Sequence, residues 1–188
     1  CMAVSGKCYL SLDNFGTSAN RGACVQPCRR GYEVTDRDKE ITLAIENEYI
    51  MSPKDLCTLP FLDKVLASGV KVLKIEGRVR SPEYTKLTVS VYREAVDAVR
   101  NGTFDEEKVA AWLARLKSVY NRDFWDGYYL GRKMGEWTTK YGSQATKTKL
   151  FVGTVTNFFG KISVAEIRME THDIKLGDEI MIIGPSTG

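Results

Sequence analysis

The chain is poor in histidine: His172 is the only one in 188 residues. It lacks the His-Glu-x-x-His pair of zinc proteases and the Gly-x-Ser-x-Gly turn of serine hydrolases. A thiol protease needs a base beside its nucleophile, and no histidine lies in the first 171 residues to serve as one. Long apolar runs are also missing. None approaches the roughly 18 residues that a membrane-crossing helix requires. Charge of one sign is nearly absent in bulk, since 27 Lys and Arg face 24 Asp and Glu. Net charge alone therefore does not argue for a nucleic-acid partner. There is no internal repeat. No leader pattern opens the chain, which starts directly inside a cysteine cluster. The expectation is a chain that begins inside a longer protein. Hydrophobic residues at 43% and charged residues at 27% fit a globular domain with a sizeable core.

Cysteine is what the sequence has in an unusual pattern. Four of the five cysteines, Cys1, Cys8, Cys24 and Cys28, fall in the first 28 residues, spaced Cys-x6-Cys-x15-Cys-x3-Cys; Cys57 stands apart. An odd count with one tight cluster fits metal ligation in a reducing cytoplasm better than a disulfide scaffold. Four thiolates hold either zinc or an iron–sulfur cluster. Zinc sites favour paired short knuckles, and only Cys24 with Cys28 resembles one. The wide spacing elsewhere suits a cubic cluster, whose ligands approach separate iron corners. Spacing leaves three readings open: iron–sulfur, zinc, and unligated structural thiols. Lys7, Arg21, Arg29 and Arg30 stand among these cysteines. They either offset thiolate charge and draw in an anionic substrate, or are solvated surface charges.

The rest reads as α/β. Residues 1–33 form a cysteine-rich, mostly loop segment. A charged turn and short strand are expected over 34–48. Thr58 precedes an apolar set at helical spacing that stops at Gly69. Residues 70–75 are β-branched and predict a strand. Ser81-Pro82 opens a helix with Tyr84, Leu87, Val91, Tyr92, Ala95 and Val99 on one face, ended by Asn101-Gly102. A further helix carries Val109, Trp112, Leu113, Leu116 and Val119, with Thr103 and Glu106 as its expected capping box. This alternation implies a parallel sheet built from βα units. Residues 120–137 are aromatic and glycine-rich. A polar stretch follows, and beyond it the texture is all-β: strands over 151–156 and 162–168, then a Gly177-Asp178 turn into 179–183. The expected organisation is a cluster segment over 1–33, an α/β region over 34–145 and a β-rich domain from 146 to 188.

Several blocks resemble one family. Cys1-Met2-Ala3-Val4-Ser5-Gly6-Lys7-Cys8-Tyr9-Leu10-Ser11 is similar to the second half of the signature of the collagenase-like U-32 peptidases. Asn20-Arg21-Gly22-Ala23-Cys24-Val25-Gln26-Pro27-Cys28-Arg29 resembles its next block. So do Ser52-Pro53-Lys54-Asp55-Leu56-Cys57, Ile75-Glu76-Gly77-Arg78 with Ser81-Pro82-Glu83-Tyr84, and Asn121-Arg122 with Gly127-Tyr128-Tyr129-Leu130-Gly131. The resemblance runs in order over nearly the whole chain. It implies the later part of a βα, TIM-like barrel over 34–145 and the start of a small C-terminal β-barrel domain over 146–188. It also implies a [4Fe–4S] cluster on Cys1, Cys8, Cys24 and Cys28. The subgroup most resembled hydroxylates the tRNA wobble uridine to 5-hydroxyuridine, with prephenate as the linked oxygen source. Two positions depart from that subgroup: Arg30 where an aromatic residue is usual, and Asp123 where glycine is usual.

Other residues carry paired readings. Glu76 closes the expected strand at 70–75. It is either a catalytic carboxylate at the active-site end of a barrel or an ion-pair partner of Arg78 or Arg80. Arg78 and Arg80 suit phosphate. Arg122, with Arg132, Lys133 and the aromatics of 120–137, suits a stacked nucleobase or a core with a wet rim. Cys57 reads as a buried structural thiol. Three functions follow: an iron–sulfur enzyme that hydroxylates RNA, a collagenase-like peptidase of unassigned type, and a metal-stabilised RNA-binding module. By the same resemblance residues 1–188 alone, holding part of a barrel, are expected to be inactive.

Overall fold

A computed structural model describes residues 8–17, 21–33, 49–77, 80–131 and 136–184. The strand expected within 34–48, and Cys1, Lys7, Arg78, Arg132 and Lys133, lie outside the described residues. The chain divides into two compact units, Cys1–Thr146 and Lys147–Gly188. The fold is mixed α/β, with helices and two small sheets among the described residues.

The first unit starts with α1 (Tyr9–Phe15), which ends on Gly16 in the left-handed region, its N–H bonded to Leu12 O. A 3-10 turn follows at Pro27–Arg29. Strand β1 (Asp55–Leu56) leads through Cys57 into a 3-10 turn at Leu59–Phe61 and then α2 (Leu62–Ala67). Helix α3 (Pro82–Arg100) has Ser81 as its N-cap, accepting from the Tyr84 N–H, and Asn101 as its C-cap. That is the start and stop expected from sequence. Helix α4 (Glu106–Lys117) differs at its cap. Asp105, in extended conformation, accepts from the Lys108 N–H at 2.8 Å. The cap thus lies two residues beyond Thr103, because a carboxylate is a strong acceptor for the orphan N–H groups of a first turn. Thr103 instead closes α3, its N–H donating to Ala98 O at 2.9 Å.

Helices α2, α3 and α4 enclose the core. Leu59, Leu62, Val91 and Ala95 are fully buried, with Cys57, Ala98, Trp112 and Leu116 beside them. Val91, Ala95 and Ala98 recur at helical spacing, as do Trp112 and Leu116, so one stripe of each helix meets the other. A Leu→Ala change at such a site typically costs about 2–5 kcal/mol.

Strand β2 (Phe124–Trp125) pairs parallel with β1, Asp55 opposite Phe124 and Leu56 opposite Trp125. Parallel partners need a long crossover, here filled by α2, α3 and α4. Just upstream, Pro53 forms an antiparallel bridge with Trp137, and Thr138 N–H donates to Ser52 O at 2.8 Å. The segment 52–57 is therefore a seam joined to 123–125 along one half and to 136–138 along the other. Residues 70–75 are not a strand. Val70 and Val72 are exposed, and no described segment forms a ladder with them. A β-branched run without a pairing partner remains extended chain, because the strand is made by its inter-strand hydrogen bonds.

In the second unit β3 (Gly153–Phe159) and β4 (Val164–Met169) form an antiparallel hairpin with a register shift between Val155 and Asn157. Residues 179–183, expected as a strand, lie outside any strand, and Ile180, Met181, Ile182 and Ile183 are exposed.

Candidate functional site

The first unit contains a cleft of about 1580 Å³. Its lining combines residues from the cysteine segment, the 52–57 seam, the 70–76 stretch and the aromatic region. Eight lining side chains are Lys or Arg and three are Asp or Glu. The cleft thus concentrates more positive charge than the near-neutral chain as a whole, at +3, carries. Trp125, Tyr128, Tyr129 and Tyr141 line the same space. Tyr128 and Tyr129 are well exposed there, and Gly127 places them. Its φ is +65°, and an added Cβ would stand 2.8 Å from Leu56 Cδ1, so the turn admits only glycine without strain.

Asp55 is the hub. Arg80 Nη2 lies 3.3 Å from both carboxylate oxygens. The Arg122 backbone N–H donates to Oδ2 at 3.0 Å, and its Nη1 is 3.7 Å from Oδ1. The Tyr120 ring lies beneath both cations, 4.3 Å from the Arg80 guanidinium carbon and 5.1 Å from that of Arg122. Arg122 Nη2 donates to Gln26 Oε1 at 3.1 Å. Arg29 Nη1 donates to Ser52 Oγ at 3.0 Å and to Pro53 O at 2.6 Å. Burial lowers the Arg29 pKa from its ordinary value, and the nearby Arg122 charge lowers it further.

Local structure sets this arrangement. Asn121 is buried; its Nδ2 donates to Lys117 O and Val119 O, and its Oδ1 accepts from the Asp123 N–H. That arrangement ends α4 and turns the chain so that Arg122 meets Asp55. Asp123 has φ +62°, a left-handed conformation that glycine adopts without strain and Asp tolerates. This accounts for how Asp stands where glycine was expected. Lys54 bonds Glu136 Oε2 at 2.9 Å and lies 3.5 Å from Asp123.

The structure thus brings Arg29, Arg80 and Arg122 into one cleft with Cys24 and Cys28. Arg21 is exposed and is not part of the lining. Glu76 lines the cleft but its side chain is 68% exposed, with Lys74 Nζ 4.0 Å away. Arg80, one of its expected partners, pairs with Asp55 instead. Arg30 sits over the Phe15 ring at 5.9 Å. Asp55, which sequence reasoning missed, organises the site, with Tyr120 of the expected aromatic set 120–137 beneath its two arginines. Asp55 stood in a quoted motif, but its partners lie 25 and 67 positions away, and no local pattern reports such a pairing.

Cys8, Cys24, Cys28 and Cys57 are free thiols. Cys8 and Cys28 are buried, Cys24 is half-buried, and Cys24 Sγ accepts the Gln26 N–H at 3.3 Å. Free thiols, two of them buried and the third accepting an N–H···S bond, suit the donor chemistry of a thiolate-held cluster. Among the described residues no three His, Cys, Asp or Glu side chains converge as a metal site. Cys57 is different. It belongs to the core, 3.7 Å from Tyr92 Oη, and burial raises the pKa of both groups.

Residues 1–139 match the family model described as Peptidase family U32. The chain belongs to that family. The resemblance expected from the motif blocks is thus borne out. Among U32 relatives, a protein named collagenase from Porphyromonas gingivalis (strain ATCC BAA-308 / W83) is 55% identical over all of this chain and 45% of its own length. The tRNA hydroxylation protein P1 of Bacillus subtilis (strain 168) is 34% identical over 98% of this chain and 44% of its own. A 23S rRNA 5-hydroxycytidine synthase of Escherichia coli (strain K12) is 38% identical over 53% of this chain and 15% of its own. The chain spans about half the length of the first two. No solved structure matches it. No helix among the described residues is long and apolar enough to cross a membrane.

Proposed function

We propose that this chain is the cluster-bearing part of an RNA hydroxylation enzyme, and that tRNA with the wobble uridine is its substrate. One observation carries the reading: Cys24 and Cys28 line the same cleft as an excess of Lys and Arg and an aromatic wall. Cations grip phosphates without regard to sequence, and aromatic faces stack unpaired bases. In this reading Cys1, Cys8, Cys24 and Cys28 hold a [4Fe–4S] cluster. Such a cluster supplies redox chemistry for adding oxygen at C5 of the base, giving 5-hydroxyuridine, with prephenate as the linked donor. The chain's own residues bind and orient: arginines hold the RNA backbone and tyrosines hold the base. Glu76, an exposed carboxylate on the cleft lining, is the candidate to relay a proton. The reading takes 34–145 as the later part of a βα barrel and 146–188 as the start of a β-barrel domain. The parallel β1–β2 pair and the β3–β4 hairpin are its support. It places the protein in the cytoplasm, where thiols stay reduced.

The test is anaerobic purification of the full-length protein with iron and sulfide assays, then nucleoside analysis of tRNA from a deletion strain. About four irons, lost when Cys24 and Cys28 become Ala, together with disappearance of 5-hydroxyuridine in the deletion strain, are the expected results. One zinc in place of iron, or an unchanged nucleoside profile, overturns the reading.

The 55% identity to a protein named collagenase favours a second reading, a peptidase. The described residues give it little machinery. The Cys57 thiol is buried with its pKa raised. His172 belongs to the second unit, where its Nδ1 is 2.8 Å from Phe151 O. Gelatin hydrolysis that survives replacement of all four cluster cysteines would put this reading first.

A further inference from the structure

Arg80 and Arg122 share one carboxylate and one aromatic ring. Asp55 neutralises one of the two guanidiniums, so the pair keeps an excess positive charge, and Arg29 lines the same cleft. The side chains of Arg80 and Arg122 are only 15% and 11% exposed. Arg80 engages Asp55 through Nη2. Among the described residues its Nε and Nη1 have no protein acceptor. A guanidinium carries five N–H donors in a rigid fork, and the remaining donors of Arg80 are not among the buried atoms that lack a partner, so they reach the cleft's solvent and are open to an incoming acceptor. Like charges placed this close repel, and two features oppose that repulsion: the Asp55 carboxylate and the face of Tyr120. The contacts hold two cations side by side with donors unspent, which is the preorganisation that an incoming oxyanion exploits.

We propose that Arg80 and Arg122, flanked by Arg29, form a binding site for a single phosphate-type oxyanion, and that Asp55 is the positioning residue that keeps it preformed. This deepens the RNA reading and rests on it for the source of the anion, a phosphodiester of a single-stranded segment. The aromatic side chains lining the same cleft favour that source over a free ion, because a nucleotide offers both a charge and a flat ring.

The experiment measures binding of a fluorescent single-stranded oligoribonucleotide to the full-length protein, with inorganic phosphate as competitor. It compares Arg80→Lys, Arg122→Lys and Asp55→Asn, with folding checked by circular dichroism. The lysine variants keep the charge and lose the fork, so each is expected to weaken binding about tenfold. Asp55→Asn makes the cleft more positive, so charge alone predicts tighter binding. The positioning role predicts weakening by about threefold. Tighter binding by a folded Asp55→Asn protein overturns the positioning role. Lysine variants within about twofold of the native protein overturn the site, and they decide it if Asp55→Asn does not fold. Inorganic phosphate binding is read by calorimetry on the same variants, and binding that depends on the arginines but is not displaced by the oligonucleotide leaves the oxyanion site standing and overturns RNA as its source.

Discussion

Two charge clusters in the first unit use the same chemistry and differ in what they have left over. On the α3–α4 surface, Glu94 accepts from Arg115 at 2.6 and 3.0 Å and from Trp112 Nε1 at 3.0 Å. One carboxylate meets one cation there, and both side chains are more than 40% exposed. In the cleft, one carboxylate serves two arginines, all less than 20% exposed. The first cluster is complete in itself and clips two helices together. The second retains charge and donors in a partly dry place, which a fold alone does not require. Imbalance, rather than the presence of an ion pair, is what marks a candidate site.

Asp55→Ala is the strongest way to break this comparison. It leaves two largely buried guanidiniums without their shared partner and should cost about 3 kcal/mol, read as a lower urea midpoint of the full-length protein. A midpoint equal to that of the native protein would make the cleft cluster as dispensable as a surface pair. Asn121→Ala should come next, at about 2 kcal/mol, because it frees buried backbone groups at the end of α4 and unseats Arg122. Weaker oligonucleotide binding should accompany it. A loss of stability with binding intact would separate the turn from the site.

Glu94→Gln should be the mildest, costing at most about 1 kcal/mol near neutral pH, since exposed pairs are screened. It should leave oligonucleotide binding unchanged. The Arg115 hydrogen bond, helped by Trp112, lowers the Glu94 pKa to about 2 from its ordinary 4.5. A carboxyl depressed in the folded state contributes stability above pH 4.5 and loses it as pH falls towards 2. Urea unfolding at stepped pH should therefore show a shallower loss between those values in Glu94→Gln than in the native protein. Parallel curves would remove Glu94 from the acid response.

Local signals were legible where the physics is local. Ser81-Pro82 and Asn101-Gly102 bound α3 because capping and left-handed stops depend on adjacent residues. The stripes through Val91 and Ala95, and through Trp112 and Leu116, announced the buried faces of α3 and α4. Cys57 was readable as a core thiol. The expected strands at 70–75 and 179–183 failed for the opposite reason: β-branched composition supplies a preference, while the ladder needs a second segment whose position no local pattern contains.

The site divides in the same way. Residue type nominated Arg21, Arg29, Arg78, Arg80 and Arg122, because a guanidinium fork suits phosphate wherever it stands; Arg29, Arg80 and Arg122 line the cleft, Arg21 does not, and Arg78 lies outside the described residues. The family was legible in ordered blocks that its model then matched. Only the tertiary structure joined β1 to β2 across the three helices between them, and so set Asp55 against Arg80 and Arg122 over the Tyr120 ring. Sequence determines which charges and rings a chain owns; how many of them share one partner depends on distances of a few ångströms between residues far apart in the chain, and those are settled by packing.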